Sequence, residues 1–265
     1  MIRMPKISVV MAVNRDEGYL AQAIESILHQ TLTDFEFIIV ANNCTDALWT
    51  SLGTYRDSRI RLFRTSLGQL AFSLNLGVHK SRSPLIARMD ADDISLPNRM
   101  ARQFEYMNSN PDVAVLGTNY EIVDSRCNTL QRESALPQHD VDIRRRLPIR
   151  QCIAHPTVMI RRNVFLEVGG YSTEVCAEDY DLWLRIRRLK SHKFHNLPDV
   201  LLRYRVHAAQ ASTVAHYQRL CFAYTSAMLG REFLLTHEAR FALGAVRAYL
   251  RGNSILRSIK NAVRR

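Results

Sequence analysis

Three aspartates crowd one short stretch of the chain, Asp90, Asp92 and Asp93 in the run ARMDADDISLP. Their mutual repulsion is unfavourable unless a cation or solvent compensates it. Alternate side chains of an extended backbone point the same way, so Asp90 and Asp92 can address one bound ion. Carboxylate oxygens suit Mg²⁺ or Mn²⁺, which keep water and phosphate oxygens at their other positions. The alternative is a solvated turn in which Asp92 or Asp93 caps a helix opened by Pro97.

A second acidic group precedes a segment of helical period. Glu178, Asp179 and Asp181 stand at the start of the run EDYDLWLRIRRLK, in which apolar residues recur at helical spacing. Acidic residues at a helix start also interact favourably with the helix dipole, so taken alone the group favours helix capping. A carboxylate held there would nevertheless stay ionised and fixed in direction, as a general base must be.

Two of the nine histidines end strand-like runs, His155 and His207. No histidine pair has the spacing of a compact metal site, so these two are the candidate ligands or phosphate contacts, with a plain surface or core position as the alternative. Gly169 and Gly170, just upstream of the second acidic group, indicate a hinge, a close ligand approach or a simple turn.

The elements that must position these residues follow from the hydrophobic pattern. Apolar residues after Gly18 recur at helical spacing and predict an amphipathic helix. Short β-rich runs alternate with such segments, which predicts a mostly parallel sheet flanked by helices. Ligands bind such sheets at the carboxyl ends of the strands, where residues 42–46 and 90–93 stand. The predicted strands are Ile7–Val13, residues 35–41, residues 60–63, Leu85–Met89 and residues 113–117.

The rest of the chain differs in character. Residues 125–150 are polar and Arg-rich, and indicate either a long excursion that covers a site or a solvated surface insertion. Beyond His216 the pattern is helical to the end, and no acidic residue follows Glu238. The basic residues there form an amphipathic tail of the type that lies on anionic membranes. They are Arg240, Arg247, Arg251, Arg257, Lys260, Arg264 and Arg265.

Composition bounds the classes that remain. The 265 residues are 47% hydrophobic and 23% charged, which excludes a disordered chain and a disulfide scaffold. The net charge of +11 attracts polyanions such as nucleic acid, anionic lipid or nucleotide diphosphates. Five cysteines without a CxxC pair fit a reducing cytosol. No apolar run has the length of a signal peptide or a membrane span, so we expect a soluble or peripheral protein.

In combination, these segments resemble the inverting family-two glycosyltransferases of bacterial surface-polysaccharide synthesis, which have a GT-A fold. The resemblance covers residues 6–212, and the order and spacing of its motifs are more specific than a DxD or an ED pair alone. Five segments carry it: ISVVMAVNRDEGYLAQAIESILHQT, DFEFIIVANNCTD, LIARMDADD, HPTVMIRRNVFLEVGGYSTEVCAEDYDLWLR and LRYRVH.

That resemblance implies roles for the acidic groups and the histidines. Asp90 would hold the diphosphate of a nucleotide-sugar donor, together with Mg²⁺ or Mn²⁺ on Asp92 and His207. Asp179 would be the catalytic base that takes the proton of the acceptor hydroxyl. The expected reaction is a single in-line displacement with inversion, in which the metal stabilises charge on the leaving diphosphate.

Two further residues take their roles from the same resemblance. Glu178 would orient the base, and His155 would contact the substrate in the acceptor region.

The nucleotide loop departs from the family pattern. The family usually has Pro-x-Tyr-Asn after its first strand, where this chain has AVNR with Ala12 and Asn14 as the expected substrate contacts. It commonly places an aspartate that reads the base where this chain has Ala41. Asn42 can still hydrogen-bond a base, so the donor stays open among UDP, GDP and dTDP sugars.

The resulting prediction is an α/β protein with a GT-A domain over residues 1–215 and a basic amphipathic helical extension over residues 216–265. We expect a cytoplasmic enzyme, with the extension on the inner face of the cell membrane, that acts on a glycan or a lipid-linked acceptor. The alternatives are a catalytically silent relative that binds nucleotide sugar and a basic nucleic-acid-binding protein. Only charge favours the latter, and we expect no nucleic-acid partner.

Overall fold

The computed structural model describes residues 4–132, 136–173, 176–208, 210 and 215–252. The strands are β1 (Ile7–Val13), β2 (Phe35–Asn42), β3 (Ile60–Thr65), β4 (Leu85–Met89), β5 (Ile94–Ser95), β6 (Val113–Val123), β7 (Thr129–Arg132), β8 (Met159–Arg161) and β9 (Lys193–Arg205). The helices are α1 (Leu20–Leu28), α2 (Asp46–Leu52), α3 (Leu70–Lys80), α4 (Arg99–Ser109), α5 (Asp140–Arg146), α6 (Arg162–Glu167), α7 (Glu178–Arg188), α8 (Ala215–Thr236) and α9 (Ala239–Gly252). A 3₁₀ turn, His155–Thr157, precedes β8.

The strands form one mixed sheet in the order β3-β2-β1-β4-β8-β6-β9-β5, with β7 paired to β6. The half from β3 to β4 is parallel. β8 runs antiparallel to both β4 and β6, whereas β6 and β9 are parallel over a long ladder. Most paired residues therefore lie in parallel ladders, which confirms the predicted mixed, mostly parallel sheet flanked by helices.

Both faces of the sheet are covered, which explains why β1 and β2 read as continuous apolar runs rather than alternating ones. Val10 and Ile38 pack into one core cluster together with α3, α6 and α7. Val9 and Phe37 pack into a second cluster with α1 and α4 on the opposite face. Burial on both sides holds the carboxyl ends of the strands at a common edge.

The predicted elements are present, with differences at their ends. β2, β3 and β6 extend beyond the predicted ranges because hydrogen bonds to neighbouring strands continue there. Residues 125–150 contain β7 and α5 rather than one unstructured excursion. The capping turn considered for the aspartates is wrong, since α4 begins at Arg99 and its N-cap is Asn98.

The two C-terminal helices pack against each other and against the sheet domain. Met228, Leu229 and Phe241 are buried in the cluster that also contains α7. Ion pairs join the same surfaces, Arg187 to Glu238 at 2.8 Å and Arg188 to Glu232. The predicted basic residues Arg257, Lys260, Arg264 and Arg265 lie outside the described residues. Among the described residues, no helix has the length and apolarity needed to cross a bilayer.

A buried carboxylate ties the amino ends of the parallel strands together. Glu36 on β2 is 2% exposed in its side chain and accepts hydrogen bonds from Ser8 Oγ at 2.6 Å, Arg61 Nη1 at 2.6 Å, and the backbone N and Nε of Arg82 at 2.6 and 2.8 Å. Burial by itself would raise the pKa of Glu36, but these donors outweigh it and lower the pKa. The ionised form is thus preferred in the folded state.

We expect Glu36→Gln to lower the free energy of unfolding by about 1–3 kcal/mol, because charge-assisted hydrogen bonds are lost in a buried site. Urea denaturation at neutral pH measures this loss. Because the folded-state pKa is lowered, the advantage of the wild type is complete above the ordinary value of 4.5 and disappears as pH falls through the lowered pKa.

The matched control is Asp112→Asn, which removes the charge from an exposed pair with Lys193. Its effect should be much smaller, since solvent screens exposed pairs. Equal losses for the two variants, or a difference that persists unchanged in acid, would contradict the role assigned to Glu36.

Candidate active site

The carboxyl ends of β1, β2 and β4 open onto a cavity of about 320 Å³. Because these strands are parallel neighbours, residues distant in sequence meet at one edge of the sheet. The cavity contains six of the predicted site residues, namely Ala12, Asn14, Asn42, Asp90, Asp92 and His207. The structure therefore brings together the residues that sequence reasoning assigned to the donor and the metal.

Asn42 lies in the wall of this cavity, which we call the first cavity, and is itself buried. Its Nδ2 donates a hydrogen bond to Ser73 Oγ at 2.9 Å, and that hydroxyl donates to the Gln69 carbonyl at 2.7 Å. The side chain at the end of β2 is thus fixed by α3. A nucleotide base bound in the first cavity would meet the side-chain amide of Asn42 in an orientation that is already fixed.

The aspartate cluster concentrates negative charge at the end of β4. One oxygen from each of Asp90, Asp92 and Asp93 lies within 4.8 Å of the others. Asp93 is fully buried, and burial together with the charges of its two neighbours raises its pKa well above the ordinary value. Among the described residues, its Oδ2 has no hydrogen-bond partner. A cation would relieve both the repulsion and the unpaired oxygen.

The end of β9 holds this acidic loop in place. His207 Nε2 lies 3.0 Å from Asp92 Oδ2. Arg205, which is 1% exposed, donates from its backbone N to Asp93 Oδ1 at 2.9 Å and from Nε to the Asp92 carbonyl at 2.8 Å. The Arg205 guanidinium also stacks on the Tyr19 ring, with Cζ 4.4 Å from the centroid. Side-chain and backbone contacts from the end of β9 therefore anchor the loop.

These groups fit a divalent cation. Carboxylate oxygens and one imidazole nitrogen form a donor set that Mg²⁺ and Mn²⁺ accept. Asp92 and His207 already approach one another as two ligands of one ion would, and one carboxylate oxygen of the buried Asp93 belongs to the same cluster.

A second cavity of about 500 Å³ adjoins the first, and Asp90 lines both. Asp179, His155 and Arg88 lie in its wall. The aspartate that would touch the donor thus stands between the predicted metal site and the predicted base. Donor and acceptor could meet at this junction without either crossing the protein.

Asp179, at the start of α7, is 13% exposed in its side chain and is held at both oxygens. Oδ1 accepts from the Tyr180 backbone N at 2.8 Å, and Oδ2 accepts from the Gln151 side-chain amide. Burial raises the pKa of Asp179, while these two hydrogen bonds and the charge of Arg88 oppose the rise. The carboxylate is thus fixed in direction and a stronger base than a solvated aspartate, as general-base catalysis requires.

Glu178, which was expected to orient the base, is itself largely buried. It is 9% exposed, and burial followed by the charge of Asp179 raises its pKa to about 7. Among the described contacts, the ones that orient Asp179 come from Gln151 and Tyr180 rather than from Glu178. Ala177, the residue before this pair, has left-handed backbone angles (φ 63°), which costs roughly 1–3 kcal/mol for a residue with a side chain.

His155 lies behind the base, 8% exposed, with its Nδ1 4.0 Å from Asp179 Oδ2. Its Nε2 shares a hydrogen bond of 2.7 Å with the Tyr171 hydroxyl. Burial, and then the charge of Arg88, lowers the pKa of His155 well below its ordinary value, so the ring is neutral. The side chain of Asn75 makes two hydrogen bonds to the backbone of Tyr171 and so fixes its position. Gly170 (φ 69°) has no side chain, which lets the backbone pass close to Asn75.

Arg88 is a candidate site residue that the sequence analysis did not single out. It is 6% exposed, donates to Asp90 Oδ2, and lines the second cavity near the base. Burial would lower the pKa of Arg88, but the charge of Asp90 raises it above the ordinary value. The sequence could have indicated Arg88, because side chains two positions apart on an extended backbone point the same way. Arg88 lies on β4, and Asp90 directly follows that strand. Gln151 had no such signal, since only the tertiary fold brings it to Asp179.

The family comparison agrees with this geometry. Residues 8–169 match the family model described as "Glycosyl transferase family 2". The chain is 40% identical over 234 residues to the O-antigen biosynthesis glycosyltransferase WbnJ of Escherichia coli, covering 86% of this chain and 89% of that protein. It is 32% identical over 189 residues to the amylovoran biosynthesis glycosyltransferase AmsE of Erwinia amylovora, covering 70% of each.

Solved structures share the fold at low sequence identity. The structure of S. aureus TarS 1–349 in complex with UDP-GlcNAc superposes with a TM-score of 0.66 at 14% identity, covering 95% of this chain and 80% of that one. The mannosyltransferase PcManGT from Pyrobaculum calidifontis, in complex with GDP-Man and Mn²⁺, has a TM-score of 0.64 at 15% identity, covering 98% and 76%. From its motifs, its GT-A fold and these matches, the chain belongs to glycosyl transferase family 2.

Proposed function

We propose that this glycosyltransferase moves a sugar from a nucleoside-diphosphate sugar to a hydroxyl of a glycan or a lipid-linked acceptor, with inversion, during O-antigen or exopolysaccharide synthesis. The observation that carries the proposal is the position of Asp90 between two cavities. One cavity contains the Asp92–His207 pair and the other contains Asp179. The names of WbnJ and AmsE support the pathway, and the UDP-GlcNAc and GDP-Man complexes support the donor class.

In the proposed reaction the donor occupies the first cavity, with its base near Ala12, Asn14 and Asn42 and its diphosphate near Asp90. Asp92 and His207 would hold Mg²⁺ or Mn²⁺, and the ion would neutralise negative charge on the departing diphosphate. The Mn²⁺ bound by the related mannosyltransferase supports this assignment.

The acceptor enters the second cavity and presents its hydroxyl to Asp179. Asp179 accepts the proton as the hydroxyl oxygen attacks the anomeric carbon on the side opposite the leaving group, which inverts the configuration. Gln151 and the Tyr180 N–H keep the carboxylate aimed at the hydroxyl. The positive charge of Arg88 limits the cost of placing Asp90 and Asp179 in one cleft.

We further propose that the protein works at the inner face of the cell membrane through α8 and α9. Exposed apolar side chains accompany arginines on these helices, as on peripheral membrane helices. They include Leu220, Leu234, Leu235, Leu243, Val246, Tyr249 and Leu250.

We expect Asp179→Asn to lower kcat by about 10²–10⁴-fold while leaving donor affinity unchanged, because the amide cannot accept the proton. Single-turnover assays with a nucleotide-sugar panel and Mn²⁺ would measure the loss. The matched control is Asp142→Asn, an exposed aspartate on α5 that lines neither cavity. Retained turnover in Asp179→Asn would remove the base assignment, and an inactive wild type that still binds donor would favour a silent relative.

A thermal-shift panel of UDP, GDP and dTDP, with and without Mn²⁺, identifies the nucleotide. A ligand at 100 times its Kd stabilises the fold by about 2.7 kcal/mol, which corresponds to about 5–10 °C for a chain of this size. We expect one nucleotide to give that shift, and Asp92→Asn to remove the part that depends on Mn²⁺. If Asp92→Asn keeps the full Mn²⁺ increment, the metal is not held there.

Sedimentation with phosphatidylglycerol vesicles tests the membrane proposal. Deleting α9 would remove the buried Phe241 and could unfold the protein, so that a loss of vesicle binding would have two causes. Substitutions of exposed residues are therefore preferable. We expect the triple change Leu243→Ser, Val246→Ser and Leu250→Ser to reduce the bound fraction, since it removes exposed apolar surface. The control is Val141→Ser, which removes an exposed apolar side chain from α5. Unchanged binding by the triple variant would contradict the proposal.

A further inference from the structure

Two free cysteines contact each other beside the start of α7. Cys176 lies two residues before Glu178, in the segment that leads into this helix, and Cys221 lies on α8. The Cys221 thiol is hydrogen-bonded to the Cys176 thiol and to the hydroxyl of Tyr217, one turn earlier on α8. The tertiary fold therefore brings together two thiols from distant parts of the chain.

Small molecules can reach this pair of thiols. Both cysteines are partly exposed. Cys221 and Ala177, which directly follows Cys176, line a groove of about 240 Å³ between the start of α7 and the facing sides of α8 and α9. Neither cysteine lines the first or the second cavity. A reagent in the groove would thus meet the thiols without occupying either substrate cavity.

The segment that joins Cys176 to the acidic pair is short. Ala177 is the single residue between Cys176 and Glu178, and its left-handed backbone angles (φ 63°) are unfavourable for a residue with a side chain. Glu178 and Asp179 follow directly and begin α7. A movement of Cys176 toward α8 would therefore be passed on to both carboxylates.

A disulfide would require such a movement. Its S–S bond is about 2.05 Å long, which is shorter than any hydrogen bond between two thiols. To form it, the segment before α7 and the middle of α8 must approach each other. Asp179 is aimed by hydrogen bonds from Gln151 and the Tyr180 N–H, so a shift relative to Gln151 would misalign this carboxylate.

We propose that Cys176 and Cys221 are a redox-sensitive thiol pair, which a small disulfide such as glutathione disulfide converts to an intramolecular disulfide that slows glycosyl transfer. The Cys176 thiolate attacks one sulfur of glutathione disulfide, releases a glutathione thiolate and becomes a mixed disulfide. The Cys221 sulfur then attacks the Cys176 sulfur, gives up its proton and releases a second glutathione. The cysteines together lose two electrons and two protons, and the oxidant becomes two molecules of glutathione.

The environment of Cys221 sets the order of these steps. Burial, followed by the hydrogen bond to Cys176, raises the pKa of Cys221 to about 12, so this thiol stays protonated at neutral pH. The attacking species in thiol–disulfide exchange is a thiolate. Cys176 is therefore the residue that reacts with the oxidant. Once Cys176 carries glutathione, it no longer raises the pKa of Cys221, which favours the second step.

A metal ion is a less suitable occupant of this pair. Structural zinc sites use four protein ligands. Among the residues that the structure describes, no group of three histidine, cysteine or acidic ligands includes either Cys176 or Cys221. The contact between two thiols thus favours oxidation over metal binding.

Peptide mapping of the full-length protein under non-reducing conditions tests the bond. After incubation with glutathione disulfide, we expect a linked peptide pair that contains Cys176 and Cys221 and is separated by dithiothreitol. Cys221→Ser should instead retain one glutathione on Cys176. The matched control is Cys44→Ser, which removes another partly exposed free cysteine and should give the same linked pair as the wild type.

Turnover of a nucleotide-sugar donor measures the consequence, which, unlike the bond itself, rests on the proposed function of Asp179. We expect oxidation to lower the kcat of the wild type by at least about tenfold, since misplacing a positioned group by about 1 Å can cost about 100-fold. Dithiothreitol should restore the rate. The double variant Cys176→Ser, Cys221→Ser should keep its own rate under the same oxidation, and melting curves verify that each variant is folded.

Three results would overturn the proposal. These are the absence of a linked pair between Cys176 and Cys221, an undiminished rate in the linked protein, or an equal loss of rate in the oxidised double variant. The proposed function is distinguished by the reduced protein. Donor turnover without a linked pair would refute only the thiol pair, whereas a linked pair in a protein that is inactive when reduced would refute the transferase.

Discussion

The concentration of carboxylates in one partly dry cleft is the constraint on which the site depends. Asp90, Asp92 and Asp93 at the end of β4 lie near Glu178 and Asp179 at the start of α7, and each raises the cost of ionising its neighbours. Such a set persists in a folded protein only with compensating positive charge. Arg88 is the buried cation that lies among them, paired directly with Asp90. The positive charge of Arg88 therefore lets the carboxylates of the proposed donor, metal and base sites lie close together.

Residues at the end of β9 and at the start of α4 also stabilise the acidic loop. β9 returns beside β6 and ends next to the acidic loop, so Arg205 and His207 reach Asp92 and Asp93 from a segment more than a hundred residues away. Arg99 at the start of α4 donates to the Arg88 carbonyl at 2.7 Å and keeps the strand end in register. Each of these contacts fixes backbone or carboxylate direction before a substrate arrives, which is how a preorganised site reduces its reorganisation during reaction.

The C-terminal helices pack beside α7, on which Asp179 lies. Their inner faces belong to the protein core and pair their acids with arginines of α7, whereas their outer faces remain apolar and basic. The same two helices close the groove beside Asp179. The inner faces of this helical pair thus serve packing, whereas the outer faces carry the surface proposed for membrane contact.

Several strands and acidic site residues could be predicted from the sequence, because each depends on a short run of neighbouring residues. The alternation of β-rich runs with helical segments predicted a mostly parallel sheet, and polar residues directly after its strands predicted where a ligand would bind. Asp90, Asp92 and Asp179 were identified from motifs whose order and spacing are specific. Arg88 could have been predicted as well, since it lies two positions before Asp90 on an extended backbone and both side chains point the same way.

Other features required the tertiary structure. Gln151 reaches Asp179 from 28 residues away, and Tyr171 reaches His155 from 16 residues away, in segments that carry no periodic signal. Which arginines are paired depends on the packing of α8 and α9 against α7. The sequence alone determined the chemistry of the side chains and the strands that carry them. The tertiary structure decided which charges meet and which remain open to a ligand, because distance and burial set the energy of a charge far more than its neighbours in the chain do.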